Sequence, residues 1–184
     1  NYNWKITLPG NTSATLWNQL HPIDALPQVL QPKSGFVYNT NHSPFHSTEG
    51  SENPRVTDIT MGYETLENNR SKRFEEMLKP LNKVNYEDFK RIKFSRQFPS
   101  NFYFPYTIDT LFMLDESKYT DIADLISNLK SWDKIANAES IGAGTFFMVT
   151  HTVYDNRAIY LKQKTITHNQ AVEILRAAKT KMLT

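Results

Sequence analysis

Two carboxamide side chains two residues apart, Asn39 and Asn41, are the residues whose type and spacing point most directly to chemistry. An amide N–H is a neutral donor, and a donor fixed beside a reacting carbonyl stabilises the negative charge that develops on its oxygen. Residues two apart in an extended strand point to the same side, so a strand ending here would aim both amides at one point. The residues in front favour such a strand: Phe36, Val37 and Tyr38 suit a pleated backbone. Pro44, which has no amide hydrogen for a ladder, would end it. A plain turn of Asn, Ser and Pro is the competing reading, because asparagine readily hydrogen-bonds its own backbone in turns.

The elements that must hold this stretch change character along the chain. Residues 1–60 read as a strand-rich segment and residues 61–184 as mainly helical. Trp4, Ile6 and Leu8 alternate with Asn3, Lys5 and Thr7, the period of a half-buried strand, and Pro9-Gly10 stops it. The polar stretch from Phe45 to Thr60 reads as a long loop, either a substrate wall or ordinary surface. From Thr65 the stripe Leu66, Arg70, Phe74, Met77 and Leu78 has helical spacing and stops at Pro80. That stripe puts Arg70 on a buried side, where a guanidinium needs a carboxylate or carbonyls. It either serves a site or forms a structural salt bridge, with Asp58, Glu64 or a residue outside these 184 as its partner.

Asn85 caps a second helix, and Tyr119 to Leu129 form a third. Thr167-His-Asn-Gln170 opens a last helix with Ala171, Ile174, Leu175 and Ala178 on one face. The apolar stretch Ser140–Thr150 is ambiguous between helix and strand. Taken together the pattern predicts an α+β fold, with N-terminal strands followed by a mainly helical portion and incomplete on its own.

Composition narrows the function classes. The 184 residues are 39% hydrophobic and 22% charged, enough apolar material for a core. No apolar run approaches the ~20 residues of a membrane helix. A net charge of +2, from 21 basic and 19 acidic residues spread along the chain, supplies no footprint for nucleic acid. Its one basic concentration, Lys90 to Arg96, reads as a solvated helix end. Without cysteine there is no disulfide, thiolate zinc site or thiol nucleophile in this stretch. His42 and His46 are four apart, but Pro44 between them forbids the helix that would align their imidazoles for a metal. The aromatic cluster Phe98, Phe102, Tyr103, Phe104 and Tyr106 reads as core or interface before acyl pocket.

The segment Leu26–Pro44, in which Pro-Lys-Ser-Gly leads into Phe-Val-Tyr and then Asn39-Thr-Asn41-His-Ser-Pro44, resembles the penicillin acylase family. Asn69-Arg-Ser-Lys-Arg-Phe-Glu-Glu-Met-Leu78 resembles the arginine-bearing helix of that family, and Trp132-Asp133 followed by Ser140-Ile-Gly-Ala143 resembles its Trp-Asp turn before another helix. The family consists of N-terminal-nucleophile amide hydrolases. The resemblance implies that Asn41 donates to the oxyanion, that Arg70 supports the active site, that Ser140–Thr150 is a helix, and that the N-terminal strands belong to the catalytic sheet.

The same resemblance implies a Ser, Thr or Cys nucleophile activated by its own terminal amine. Residue one here is asparagine, so the chain is expected to be an internal piece of the catalytic chain, inactive alone. Its partners would be the upstream alpha and beta segments of the same processed precursor and a small N-acyl substrate, in the periplasm or outside the cell. No cofactor is implied. Related acylases hold a structural calcium through oxygen ligands from both chains, and Glu49, Glu52 and Asp58 are not matched to those ligands. The alternative function is a noncatalytic helical module that binds a peptide or glycan.

Overall fold

The computed structural model describes residues 2–56 and 58–184. The chain divides into two compact units, Asn1–Ser71 and Lys72–Thr184. Six α-helices are described: α1 (Asn69–Leu78), α2 (Tyr86–Lys93), α3 (Ala123–Ser131), α4 (Ile141–Asp155), α5 (Arg157–Gln163) and α6 (His168–Leu183). Helix α1 starts at the end of the first unit and runs on into the second.

The expected α+β architecture is corrected by this structure. Among the described residues there is no strand or sheet, only the isolated bridges Gln97–Ile135 and Thr107–Thr165. The alternating residues 3–8 form a turn: Asn3 Oδ1 accepts from the Lys5 amide at 3.0 Å and the Asn3 carbonyl from Ile6 at 3.3 Å. A short polar side chain has captured the backbone groups that a ladder would need. Phe36–Tyr38 also lacks a strand partner. The Tyr38 amide donates to the Ser47 carbonyl at 2.9 Å, and the Phe36 carbonyl accepts from Thr48 Oγ1 at 2.8 Å. The side chain of one loop residue therefore does what a neighbouring strand would do.

The first unit is built from loops and single 3₁₀ turns, at Ser13–Thr15, Ile23–Ala25, Pro44–His46, Gly50–Glu52 and Ile59–Met61. Its buried residues are mostly polar: Tyr38 and Phe45 lie with His42, Ser43, Thr48 and Ser71. Phe45 meets Tyr63 edge to face, with centroids 5.8 Å apart.

The second unit has an apolar core in which α4 packs against α3 and α6. Helices α2, α4 and α6 start at side-chain caps. Asn85 Oδ1 accepts from the Asp88 amide at 2.9 Å and Asp88 Oδ2 from the Asn85 amide at 3.4 Å. Thr167 and Gln170 make the same reciprocal pair on α6, at 3.4 and 2.9 Å, and Ser140 Oγ accepts from Ala143 at 3.1 Å. Each pair satisfies amides that have no intrahelical partner. Ala171, Ile174, Leu175 and Ala178 of α6 are buried as the pattern predicts. Ser140–Thr150, ambiguous by periodicity, lies within helix α4 and its cap.

Phe146 of α4 is the aromatic hub, with Trp132 at 4.7 Å, Phe102 at 4.9 Å and Phe98 at 5.3 Å between centroids. Trp132 lies directly on the α4 backbone, because a Cβ at Gly142 would stand 2.5 Å from the Cβ of Trp132. Only glycine admits that approach. No described helix is long and apolar enough to cross a membrane.

Candidate active site

The asparagine pair sits in the first unit, on a loop tied down at both ends. Before it, the Pro32–Gly35 turn closes through a 3.0 Å bond from the Gly35 amide to the Pro32 carbonyl, with Gly35 at φ +77°. Both oxygens of Glu52 hold this turn, Oε1 accepting from the Lys33 amide at 2.6 Å and Oε2 from the Ser34 amide at 2.9 Å. These bonds, Ser34 foremost, hold the Glu52 carboxyl below its ordinary range. Ser34 Oγ lies 2.7 Å from Thr48 Oγ1. The single Thr48 proton goes to the Phe36 carbonyl, so Ser34 is the donor of that pair. Asn53 completes the clamp by exchanging two 2.9 Å bonds with the Thr48 backbone. The polar stretch after the motif is thus folded back onto Phe36–Tyr38.

The two asparagines have different jobs. Asn39 Oδ1 accepts from the Asn41 amide at 2.7 Å, a turn closed by a side chain. Asn41 takes the left-handed conformation, φ +59°, which asparagine tolerates better than any residue except glycine. The sequence reading in which both amides aim at one point is therefore corrected: the oxygen of Asn39 is spent on shaping the turn. Asn41 faces Arg70, whose Nη2 donates to Asn41 Oδ1 at 3.1 Å. A guanidinium can only donate, so this bond fixes which end of the Asn41 amide is oxygen and turns Nδ2–H₂ to the other side. Donation to the oxygen also polarises the amide, strengthening its N–H as a donor.

Arg70 itself is exposed, not on the buried side of its helix. Stripe arithmetic fails here because Arg70 lies in the first turn of α1, ahead of the buried Ser71 and Met77. Neither Asp58 nor Glu64 is its partner: Asp58 Oδ1 accepts from the amide and hydroxyl of Thr60, and Glu64 Oε1 accepts from the Thr65 and Leu66 amides.

Two further residues, Asn68, which the sequence did not single out, and His42, which it weighed only as a metal ligand, hold the loop of the Asn41–Arg70 pair. Asn68 stands at the start of α1, and its Oδ1 accepts from the Ser71 amide at 2.9 Å, as a cap does. Its Nδ2 reaches the carbonyls of Thr40 at 3.0 Å and Asn41 at 3.3 Å. One side chain thus joins the helix bearing Arg70 to the loop bearing Asn41. The signal for it was an asparagine three residues ahead of Ser71 at a helix start. The second is His42, a buried ring whose Nδ1 lies 3.1 Å from the Thr40 amide and whose Nε2 lies 2.7 Å from the His46 carbonyl.

Among the described residues no group of three or more His, Asp or Glu side chains could hold a metal. Glu52 and Asp58 serve their own turns and do not assemble into a calcium site with Glu49. The aromatic stretch lines a separate feature of the helical unit, a cleft of about 490 Å³ bounded by Phe104, Tyr106, Phe147, Tyr154 and Leu161 among others.

What the first unit offers is therefore one oriented amide donor, polarised by a cation and fixed by its own backbone. No solved structure matches the chain. The penicillin amidase family model matches residues 2–180, nearly the whole of it. The chain belongs to the penicillin amidase family, whose members are amide hydrolases.

Proposed function

We propose that this chain supplies the oxyanion donor of an enzyme that hydrolyses the amide bond of hydrophobic N-acyl compounds. The observation that carries the reading is the Arg70–Asn41 bond, which leaves Nδ2 of Asn41 as an oriented donor within a family of amide hydrolases. A Ser, Thr or Cys at a processed N-terminus, outside this chain, attacks the carbonyl carbon while its α-amine takes the proton. Asn41 Nδ2 and a backbone amide hold the oxyanion. Collapse of the tetrahedral intermediate breaks the C–N bond, and the α-amine returns the proton to the leaving amine. Water then releases the acid from the acyl-enzyme. Arg70 neither attacks nor shuttles a proton; it fixes the Asn41 amide.

This mechanism uses no cofactor, and in it the nucleophile comes from another segment of the precursor, so the 184 residues alone are inactive. The remainder of the precursor is the natural partner. Leu16, Trp17, Leu20 and Leu30 are 68%, 82%, 96% and 86% exposed, apolar surface that supports burial against another segment. A periplasmic or secreted enzyme fits the family.

Intact mass and N-terminal sequencing of the product of the full-length gene test the reading. The expected result is two chains, the one containing Asn41 beginning with Ser, Thr or Cys, and hydrolysis of N-acyl p-nitroanilides. A single uncleaved chain without amidase activity would overturn it and favour the peptide- or glycan-binding module.

A further inference from the structure

We propose that His42 is a positioning residue for the oxyanion donor: its neutral imidazole, locked in one tautomer, fixes the backbone on either side of Asn41. The inference rests on the oxyanion reading of Asn41 given above.

Both ring nitrogens are committed to main-chain groups. The Thr40 amide can only donate, so Nδ1, 3.1 Å away, is the acceptor. The His46 carbonyl can only accept, so Nε2, 2.7 Å away, carries the proton. Two independent backbone groups thus demand the same neutral tautomer. Thr40 Oγ1 lies 3.0 Å from the same Nδ1. The ring is 9% exposed and stacked on Tyr38, centroids 4.7 Å apart at 23°, so it cannot swing to another partner. A metal finds no lone pair here, because one nitrogen accepts from the chain and the other is protonated.

The placement of these bonds gives the ring its role. They grip residues 40 and 46, and Asn41, the one left-handed residue between them, hangs from the clamped stretch. Asn39 and Asn68 bind the amide of residue 41 and the carbonyls of residues 40 and 41. The amide of residue 40 is held by His42. Losing that bond frees the peptide that sets the entry to Asn41, and a donor displaced by an ångström from the oxyanion forfeits much of its effect.

The test uses the processed full-length enzyme and steady-state kinetics on an N-acyl p-nitroanilide. His42→Ala is expected to lower kcat on the order of 10-fold to 10²-fold, with KM unchanged, because the interaction lost is made with the transition state. His42→Asn, which keeps an acceptor where Nδ1 sits, should recover most of kcat. His42→Gln, which keeps a donor where Nε2 sits, should not. In an Asn41→Ala background, His42→Ala should slow the enzyme no further, since its effect passes through Asn41.

A wild-type kcat for His42→Ala, a loss confined to KM, or full additivity with Asn41→Ala would each overturn the proposal. Should His42→Ala fail to fold or process, the Asn and Gln variants decide, and equal kcat values for the two overturn it. A wild-type rate for Asn41→Ala defeats the oxyanion reading itself. A slow Asn41→Ala beside an unimpaired His42→Ala defeats only the role of His42.

Discussion

The two units of this chain are specified by different physics. The helical unit buries Leu, Ile, Val and aromatic side chains around Phe146, with Thr145 and Thr152 as its buried polar residues. Among its described residues the first unit buries His42, Ser43, Thr48 and Ser71 beside the rings of Tyr38 and Phe45. Apolar burial is non-directional and scales with area, so it yields stability and tolerates small displacements. Hydrogen bonds are directional and costly to leave unmade, so a polar network yields one geometry at modest net stability. A donor that must sit within tenths of an ångström of an oxyanion belongs on the second kind of scaffold. The contrast predicts that substitutions in the helical unit change stability, and that substitutions in the first unit change turnover.

The largest effect tests the helical side. Phe146 is 2% exposed and touches Trp132, Phe98 and Phe102, so Phe146→Ala should cost about 3–5 kcal/mol of stability. Urea unfolding followed by tryptophan fluorescence reads this directly. A loss below about 1 kcal/mol would mean that the core is not knit around this ring. Next comes the catalytic side. In the processed enzyme Asn41→Ala should lower kcat by about 10²–10³-fold, or about 2.7–4 kcal/mol. Asn41→Gly should do the same without strain at the left-handed position, and neither should move the midpoint of the helical unit. Near-normal turnover in a folded Asn41→Gly enzyme would dissolve the contrast.

How much of this was legible in the sequence follows the same division. Helices α2 and α6 announce themselves through Asn85 and through Thr167 with Gln170, because a capping box and an apolar face are both local. The Asn41–Arg70 partnership, twenty-nine residues apart, was legible only through resemblance to a family. Periodicity misread residues 3–8 and 36–38 as strands because alternation reports which faces are apolar, not where the backbone hydrogen bonds go. Asn3 and Thr48 took those bonds with their side chains. His42 was read against a metal site, and its bonds to Thr40 and His46 depend on a loop closure that no residue pattern encodes.

A smaller effect sharpens the comparison by setting the same chemistry in both units. Asn68 caps α1 and Asn85 caps α2, and alanine at either position should cost about 0.5–2 kcal/mol in its helix. Amide hydrogen exchange in the first turns of α1 and α2 measures both. Only Asn68 also holds the carbonyls of Thr40 and Asn41, so only Asn68→Ala should lower kcat as well. Equal kinetic effects from the two caps would show that the loss of turnover is a stability effect.

The smallest effect concerns acid. The Ser34 and Lys33 amides hold the half-buried Glu52 carboxyl below the ordinary value of 4.5. A carboxyl whose pKa is depressed by folding stabilises the folded state above its unfolded value, and that stabilisation disappears as the pH falls through the folded value. Glu52→Gln removes the charge that the two amides bind. Its melting temperature should therefore lie below that of the unsubstituted chain by a constant amount from neutral pH down to about pH 5. The gap should close as the medium is taken further into acid, where the glutamate itself is protonated. Asp58, Asp115 and Asp121 are depressed in the same direction by their own hydrogen bonds, so the acid sensitivity of the whole chain is shared. The difference between the two variants isolates Glu52, because the other carboxyls titrate alike in both. A gap that stays constant through the acid range would show that Glu52 holds the Pro32–Gly35 turn by shape alone, and the charge would drop out of the account of how this loop is set.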